Sequence, residues 1–240
     1  MRKKIFMSLA AVCTCMLTSC CHNNGAVCFT FDDFGGDNWV KADKIFKKYN
    51  AHATFLIAGN PTDKLDVMKK LQDAGHSVGL HTVKHTDAVT DPQLLTPEEY
   101  FSREVKSQLD FCRANGINVT AFAYPNNRHN EEFDQFFFQY FDFLRVGSGP
   151  AKKPIFIPMD QVGKKMLLQG YGIGKFYKSD LAELKKILDH AAETNSMIVF
   201  FSHSIYPNAP SIHMPSEWLE ELLQHASQRK MRIIGANEIK

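Results

Sequence analysis

From residue 26 onward, short apolar runs alternate with longer stretches of helical periodicity, and this alternation constrains the fold most. We predict strands at residues 26–31, 53–57, 77–80, 119–124, 143–146, 197–202 and 231–234. We predict helices at residues 38–49, 63–74, 97–114, 131–140, 179–193 and 215–229. Repeated strand–helix units favour parallel strands with helices outside them. The chain is therefore predicted to be an α/β protein, and a TIM-like (β/α) barrel is its natural closure.

Local signals support two of the predicted helix ends. Thr96 is followed three residues later by Glu99, a capping-box pattern that favours a helix start at residue 97. Gly75 favours a helix end just before it. Between residues 147 and 178, Gly and Pro interrupt every pattern, and the assignment stays open there.

Polar residues stand at the ends of the predicted strands. In TIM-like barrels the chemistry sits at the carboxyl ends of the strands. The residues at or just beyond these ends are Asp32, Asp33, His81, Tyr124, Arg145 and His203. They are the candidates for a functional site.

Asp33, His81 and His85 are the candidate metal ligands. The two imidazoles would share one face if residues 81–85 formed a helical turn. One carboxylate and two imidazoles can hold a divalent metal and leave positions open for water and substrate. One zinc ion suits this set, and cobalt, nickel or manganese would also fit. The zincin motif does not apply, because Thr82 stands where that motif needs Glu.

Asp32 is then free to act as a base on water. Neighbouring residues of an extended strand point to opposite sides, so the strand must break at Asp32 for both carboxylates to reach one site. Gly35 and Gly36 supply flexible backbone for that break. The alternative is an Asp pair that serves as a turn or helix cap.

His203, at the end of an apolar strand, is the candidate general acid, since an imidazole can donate a proton near neutral pH. A hydrogen-bonded core histidine is the alternative interpretation. His213 lies further along the same loop and could face the cleft. The histidines without such neighbours are interpreted as structural or solvated: His52, His76 and His129.

Three motifs carry a family resemblance. Residues 30–33 (Thr-Phe-Asp-Asp) and 81–85 (His-Thr-Val-Lys-His) resemble the first two motifs of the polysaccharide deacetylase family, known also as the NodB-homology domain or carbohydrate esterase family 4. Residues 200–203 (Phe-Phe-Ser-His) resemble its last motif. The motifs occur in the family's order. The resemblance implies a distorted, incomplete (β/α) barrel of about seven parallel strands.

The third motif departs from the family pattern. Residues 122–126 read Phe-Ala-Tyr-Pro-Asn, so Ala123 takes the position where the family usually has Arg. This resembles a Phe-Ala-Tyr-Pro variant subgroup. Tyr124 and Asn126 remain candidates for substrate or oxyanion contacts, Asn126 through its backbone N–H.

The family's fourth motif, an Asp-Trp pair, is not visible between residues 140 and 180. Arg145, on the adjacent predicted strand end, is the candidate for the missing positive charge. A surface arginine is the alternative.

The first twenty residues indicate where the protein is located in the cell. Residues 1–19 are predicted to be a lipoprotein signal peptide, because a basic start precedes an apolar stretch too short to span a bilayer. Residues 17–20 (Leu-Thr-Ser-Cys) resemble a lipobox, in which Cys20 becomes the lipidated first residue. A plain secretory signal cleaved near Ser19 is the alternative. Residues 20–25 would be a tether, and residues 26–240 the catalytic domain.

We therefore expect a monomer anchored to a bacterial membrane in the cell envelope, with the outer membrane favoured. Of the 28 basic residues, three lie in the leader, which leaves 25 against 26 acidic residues. No basic stripe is visible, so nucleic acid is not an expected partner. Cys28 and Cys112 are interpreted as small core residues, although a disulfide is possible outside the cytoplasm.

The resemblance implies a metal-dependent hydrolase that removes N-acetyl groups from an N-acetylglucosamine-type glycan. An esterase that removes O-acetyl groups at the same site is the first rival. A metal-retaining glycan-binding lipoprotein without turnover is the second, and the altered motifs support it. The presence of Asp32 and His203 argues against that second rival, because a pure binder needs neither.

Overall fold

The structure is a computed structural model that describes residues 24–89, 96–148 and 153–239. The strands found there are β1 (Ala26–Phe31), β2 (Thr54–Ile57), β3 (Ser77–Leu80), β4 (Val119–Ala123), β5 (Phe143–Ser148), β6 (Ile157–Pro158), β7 (Met166–Gly172), β8 (Ser196–Ser202), β9 (Ile205–Tyr206), β10 (Met214–Pro215) and β11 (Arg232–Ile233). The helices are α1 (Asp37–Lys48), α2 (Leu65–Asp73), α3 (Pro97–Glu104), α4 (Lys106–Ala114), α5 (Glu131–Phe137), α6 (Leu181–Glu193) and α7 (Ser216–Gln228). The predicted leader and Cys20 lie outside the described residues.

Seven parallel strands close into a barrel in the order β1, β2, β3, β4, β5, β7 and β8, and β8 pairs back onto β1. This seam runs from Ala26 opposite Met197 to Phe31 opposite Ser202, so every residue of β1 takes part. On its other side, β1 pairs with β11 at its start and with β2 at its end. The predicted α/β barrel with about seven parallel strands is confirmed.

Apolar side chains fill two layers, one inside the barrel and one between the barrel and its helices. Along β1 the layers alternate: Cys28 belongs to the inner cluster, whereas Phe29 and Phe31 pack with residues of the helices. This pattern is expected of a strand that is buried on both faces. Cys28 and Cys112 are buried free thiols, which confirms their interpretation as core residues.

One predicted helix is in fact two. The capping box at Thr96 and Glu99 is present, but the helix predicted over residues 97–114 breaks at Val105 (φ −128°, ψ −40°). The predicted helix over residues 131–140 is shorter than expected, because α5 ends at Phe137.

The segment left open in the sequence contains a full barrel strand, β7. Its glycines hide the usual strand pattern, and packing explains them. A Cβ atom on Gly172 would lie 2.5 Å from the Tyr177 ring, and one on Gly170 would lie 3.1 Å from the Phe201 ring. Among the described residues, no helix is both long and apolar enough to cross a bilayer.

Candidate metal centre and active site

The carboxyl end of the barrel gathers most of the predicted site residues. Asp32 and Asp33 follow β1, His81 follows β3, Arg145 lies in β5, and His203 follows β8. Because all these strands are parallel, their carboxyl ends meet at one face of the barrel.

Asp33, His81 and His85 converge on one point. Their donor atoms all lie within 4.8 Å of one another. The Oδ1 atom of Asp33 is 3.6 Å from His81 Nε2 and 3.4 Å from His85 Nε2. Two donor atoms bound tetrahedrally to one zinc ion at about 2.0–2.1 Å would stand roughly 3.3 Å apart. The residues present therefore fit a divalent ion of the zinc type.

The His81 ring is fixed in the form that a metal ligand needs. Its Nδ1 atom lies 2.8 Å from the carbonyl oxygen of Ala123, which can only accept, so Nδ1 carries the hydrogen. The lone pair is then on Nε2, which faces Asp33. Burial lowers the pKa of His81 to about 4, against the opposing charge of Asp32. His81 is therefore neutral at pH 7, as ligation requires.

The backbone at these ligands is strained. Asp33 (φ 72°), Thr82 (φ 66°) and His85 (φ 56°) all adopt the left-handed conformation. That conformation is costly for a β-branched residue such as Thr82, and strain of this kind clusters at functional sites. The helical turn expected over residues 81–85 is wrong. A loop with two left-handed residues brings the imidazoles together instead, with ring centroids 4.8 Å apart.

Asp32 lies beside the candidate metal ligands, but its carboxylate pairs with Arg145 rather than with the two histidines. β1 ends at Phe31 as predicted, and the Asp32 N–H donates to the Ser202 carbonyl at 2.9 Å. The buried Asp32 carboxylate forms an ion pair with Arg145. Burial would raise the pKa of Asp32, but Arg145, His81 and His203 together hold that pKa below its usual value. Asp32 is therefore ionised at neutral pH.

Arg145 lies beside Ala123, the position where the sequence departs from the family pattern. The two residues are direct neighbours in the pairing of β4 with β5. The Arg145 side chain is only 2% exposed, which excludes the surface alternative. Its Nη1 atom donates to Asn127 Oδ1 at 3.3 Å, and its guanidinium lies 5.0 Å from the Phe201 ring centre. The positive charge next to Asp32 thus comes from the adjacent strand.

His203 faces the ligands from the other side of the cleft. Its Nδ1–H donates to the Ile212 carbonyl at 3.2 Å, and its Nε2 atom lies 3.7 Å from Asp33 Oδ2. The backbone carbonyl of His203 accepts a bond from the Trp39 indole at 3.1 Å, which fixes this segment to α1. His213 stands behind it, with ring centroids 6.2 Å apart.

The two candidates from the third motif, Tyr124 and Asn126, have different surroundings. The Tyr124 ring is fully buried against Phe137 and His129, so it is not positioned to contact a ligand in the cleft. Burial and the nearby Asp134 raise the pKa of Tyr124, which keeps its hydroxyl protonated. Asn126 is exposed at φ 54°, and its N–H donates to none of the described residues. Its candidacy as an oxyanion donor stays a prediction.

Sequence reasoning missed some residues around the site. Tyr177 packs its ring 5.0 Å from Phe201 and next to Gly172, and burial with the charge of Asp32 raises its pKa. Asn127 accepts bonds from Arg145 and from the Gly147 N–H. These residues act through contacts between distant segments, and no motif or spacing in the sequence indicates such contacts.

A groove of about 540 Å³ opens beside the ligands. Asp33 and His85 line one side of it, and Phe34, Lys64 and Lys84 line the rest together with neighbouring backbone. Phe34 is 37% exposed, with the Lys64 ammonium 5.0 Å from its ring centre and the Trp39 ring packed against it. The site is therefore an open cleft rather than an enclosed pocket.

Solved structures of known proteins share this fold. The chitin deacetylase of the fungal pathogen Colletotrichum lindemuthianum superimposes with a TM-score of 0.62 at 15% identity, over 91% of this chain and 88% of that chain. A carbohydrate esterase family 4 pseudoenzyme from Bacillus anthracis gives a TM-score of 0.59 at 16% identity, over 91% of this chain and 66% of that chain. The likeness defines the fold class, that of the carbohydrate esterase family 4 barrels.

Sequence similarity to known proteins covers part of the chain. The family model described as polysaccharide deacetylase matches residues 20–137, just under half of the chain and inclusive of all three candidate metal ligands. YxkH, a candidate polysaccharide deacetylase of Bacillus subtilis (strain 168), is 31% identical over 111 residues, which cover 44% of this chain and 38% of that protein. Residues 20–137 are thus similar to the polysaccharide deacetylase family. It spans well under half the length of the curated relatives it matches.

Proposed function

We propose that the protein is a metal-dependent hydrolase that removes N-acetyl groups from an N-acetylglucosamine-type glycan. One observation carries the proposal: the donor atoms of Asp33, His81 and His85 converge within 4.8 Å, beside an Asp32 carboxylate that Arg145 keeps ionised. Zinc is the ion that best suits one carboxylate and two imidazoles, and cobalt, nickel or manganese also fit.

The residues of the chain divide the work between binding and proton transfer. A bound divalent ion would polarise the acetyl carbonyl and make water a stronger nucleophile at neutral pH. Asp32 takes the proton from the attacking water, since its carboxylate is ionised and next to the ligands. His203 holds its Nδ1–H on the Ile212 carbonyl, so its Nε2 can take up a proton and pass it to the leaving nitrogen.

An esterase for O-acetyl groups would use the same residues, because the attack on the carbonyl is common to both reactions. Acetate release from an N-acetylated chito-oligosaccharide and from an O-acetylated xylan, measured side by side, separates them. We expect release from the N-acetylated substrate, and none after chelation of the metal. Release from the O-acetylated substrate alone would contradict the proposal.

A glycan-binding protein without turnover is the remaining rival, and a solved pseudoenzyme shares the fold. The paired Asp32 and Arg145 and the oriented His203 argue for turnover, because binding alone uses none of these contacts. If calorimetry shows that the oligosaccharide binds but no acetate is released over a day, the result would favour a glycan-binding protein without turnover.

We also propose that a lipid on Cys20 anchors the protein in the bacterial cell envelope, with the outer membrane favoured and residues 20–25 as a tether. The Leu-Thr-Ser-Cys run after an apolar stretch supports this. Cys20→Ala should move the protein from the membrane fraction to the soluble fraction, because lipid is what holds it there. Cys28→Ala, a buried core position, is the matched control. An unchanged membrane fraction for Cys20→Ala would reject the anchor.

A further inference from the structure

Two fully buried polar side chains lie where α3 breaks into α4. Glu104 is the last residue of α3, and Gln108 is in the first turn of α4; both are 0% exposed. A buried carboxylate and a buried amide are costly unless they are hydrogen-bonded. Their partners are therefore informative about why the break exists.

Glu104 binds the backbone of the loop that carries the two histidines. Its Oε2 atom accepts a bond from the Lys84 N–H at 3.0 Å, and its backbone carbonyl accepts one from the Val83 N–H at 2.8 Å. The last carbonyls of a helix have no partner within that helix. The break at Val105 makes the Glu104 carbonyl one of these, and the loop uses it.

Gln108 binds the same loop and its neighbour. Its Nε2 atom donates to the carbonyls of Thr82 at 3.1 Å, Gly59 at 2.7 Å and Ile57 at 3.2 Å. One amide group thus joins the loop after β2 to the loop after β3. The Gly59 N–H adds a direct bond to the Thr82 carbonyl at 2.8 Å.

These bonds surround the strained part of the site. Thr82 and His85 hold left-handed conformations that residues other than glycine rarely adopt. Such strain persists only where the surroundings enforce it. Val83 and Lys84 lie between the two strained residues, and the N–H groups of both are held by Glu104.

We propose that Glu104 and Gln108 are positioning residues that hold the Thr82–His85 loop in its strained form, so that His85 meets His81 and Asp33 before an ion arrives. The inference rests on the metal centre of the proposed function. In the described part of the chain, the hydrogen bonds of both residues to this loop go to its backbone rather than to the ligand side chains. Glu104 and Gln108 lie on either side of the break at Val105.

Amide hydrogen exchange of the metal-free wild-type chain tests directly whether the Thr82–His85 loop is held in place. We expect the N–H groups of Val83 and Lys84 to exchange far more slowly than the exposed N–H of Asn126. Exchange of both at the rate of Asn126 would overturn the proposal. This measurement needs no substitution and no activity, so it stands even if the chain binds no metal, a result that would instead contradict the proposed function.

Co²⁺ titration of the full chain, followed by its visible absorption spectrum, tests the consequence. Gln108→Met and Glu104→Leu should weaken Co²⁺ binding by roughly 10–100-fold, the range seen when partners that orient metal ligands are lost, and should alter the spectrum. Glu104→Gln keeps an oxygen acceptor for Lys84 and should restore most of the affinity, which a general loss of packing would not explain.

Gln72→Met is the matched control, because Gln72 also joins two loop groups, Gly116 and Asn118, but away from the site. It should lower the melting temperature and leave the Co²⁺ affinity and spectrum unchanged. Wild-type affinity and spectrum in both Gln108→Met and Glu104→Leu would overturn the proposal. If those variants do not fold, the hydrogen exchange of Val83 and Lys84 in the wild-type chain decides.

Discussion

Two buried histidines flank the four-residue strand β3, and they have opposite roles. His76 stands just before the strand and His81 just after it, and burial is the largest cause that lowers the pKa of each to about 4. The Nδ1 atom of His76 accepts a bond from the Ala53 N–H at 3.1 Å, so its hydrogen is on Nε2, 3.3 Å from Asp43. His81 has the opposite tautomer, because its Nδ1 donates to a carbonyl. Which backbone group meets Nδ1 thus decides whether a buried histidine can bind a metal.

The two ends of the barrel show the same contrast between polar groups that serve the fold and polar groups that serve the site. At the amino end, the chain terminus closes over the strands: the Ala236 N–H donates to Thr54 Oγ1 at 2.9 Å, and the Asn237 N–H donates to Ser77 Oγ at 2.9 Å. At the carboxyl end, left-handed residues and an ion pair surround an open groove. Polar groups at the first end stabilise the fold, and those at the second end stay available to a ligand.

Substitution of an aspartate at each end should give the largest contrast. Asp32→Asn should lower turnover by about 10²–10⁴-fold and leave the metal bound, because the base is lost and the ligands are not. Asp43→Asn, beside His76, should lower stability and leave turnover unchanged. Steady-state acetate release measures the turnover of both variants, and elemental analysis measures their bound metal.

His203→Ala should lower turnover by a similar factor. In the double variant Asp32→Asn/His203→Ala, turnover should fall by less than the product of the two single factors, since both residues serve one transition state. Full activity in Asp32→Asn would show that the base is misassigned. Loss of metal in that variant would mean that Asp32 and Asp33 have exchanged roles.

Loss of one partner of the ion pair at the carboxyl end should be the next largest effect. Arg145→Met leaves the buried Asp32 charge without its partner, which typically costs about 3–5 kcal/mol. The denaturation midpoint of the variant in urea gives the change in unfolding free energy. Asp32→Asn/Arg145→Met removes both charges and should recover most of the loss. Equal stability of Arg145→Met and the wild type would contradict the pairing of these two residues.

The smallest effect expected is the pH dependence that His76 contributes at the amino end. Its pKa is about 4 in the folded chain and near 6.5 in the unfolded chain, with Asp43, His52 and Lys47 as the charges that act on it. The unfolded state therefore binds more protons between these values. The stability that His76 contributes is present above pH 6.5 and is lost as the pH falls toward 4, by at most about 1.4 kcal/mol per pH unit.

His76→Asn replaces the nitrogen that accepts the Ala53 N–H bond with a side-chain oxygen acceptor and removes the titration. Urea denaturation of the metal-free wild type and this variant, at several pH values from 4 to 7, should give a shallower pH dependence for the variant. Identical pH dependence in the two proteins would mean that His76 does not titrate as the structure indicates.

The sequence predicts the barrel better than it predicts the site. β1 and β3 have the predicted bounds because each is a short apolar run between polar residues. β7 was not predicted, since Gly170 and Gly172 serve ring packing and remove the apolar pattern. The break at Val105 was also missed; there the Glu104 carbonyl accepts a bond from the Val83 N–H, in a loop about twenty residues earlier in the chain that no local pattern indicates.

At the site, the motifs in their order nominated Asp33, His81 and His85 as candidate ligands, and the structure brings these three together. The conformation that joins them could not be predicted, because left-handed Thr82 and His85 contradict local preference. Arg145 could be suggested only as a neighbour of the strand that lacks the family's arginine. The pairing of β4 with β5 supplies the reason.

The most direct test of the account is acetate release as Zn²⁺ is titrated into the metal-free chain, with His81→Asn and His76→Asn measured in parallel. The substrate is an N-acetylated chito-oligosaccharide. We predict that activity in the wild type and in His76→Asn rises to a plateau at one equivalent of zinc, and that His81→Asn stays at background, since His81, unlike His76, presents a free Nε2 to the site. Full activity without zinc, or equal titration curves for His81→Asn and the wild type, would contradict the account.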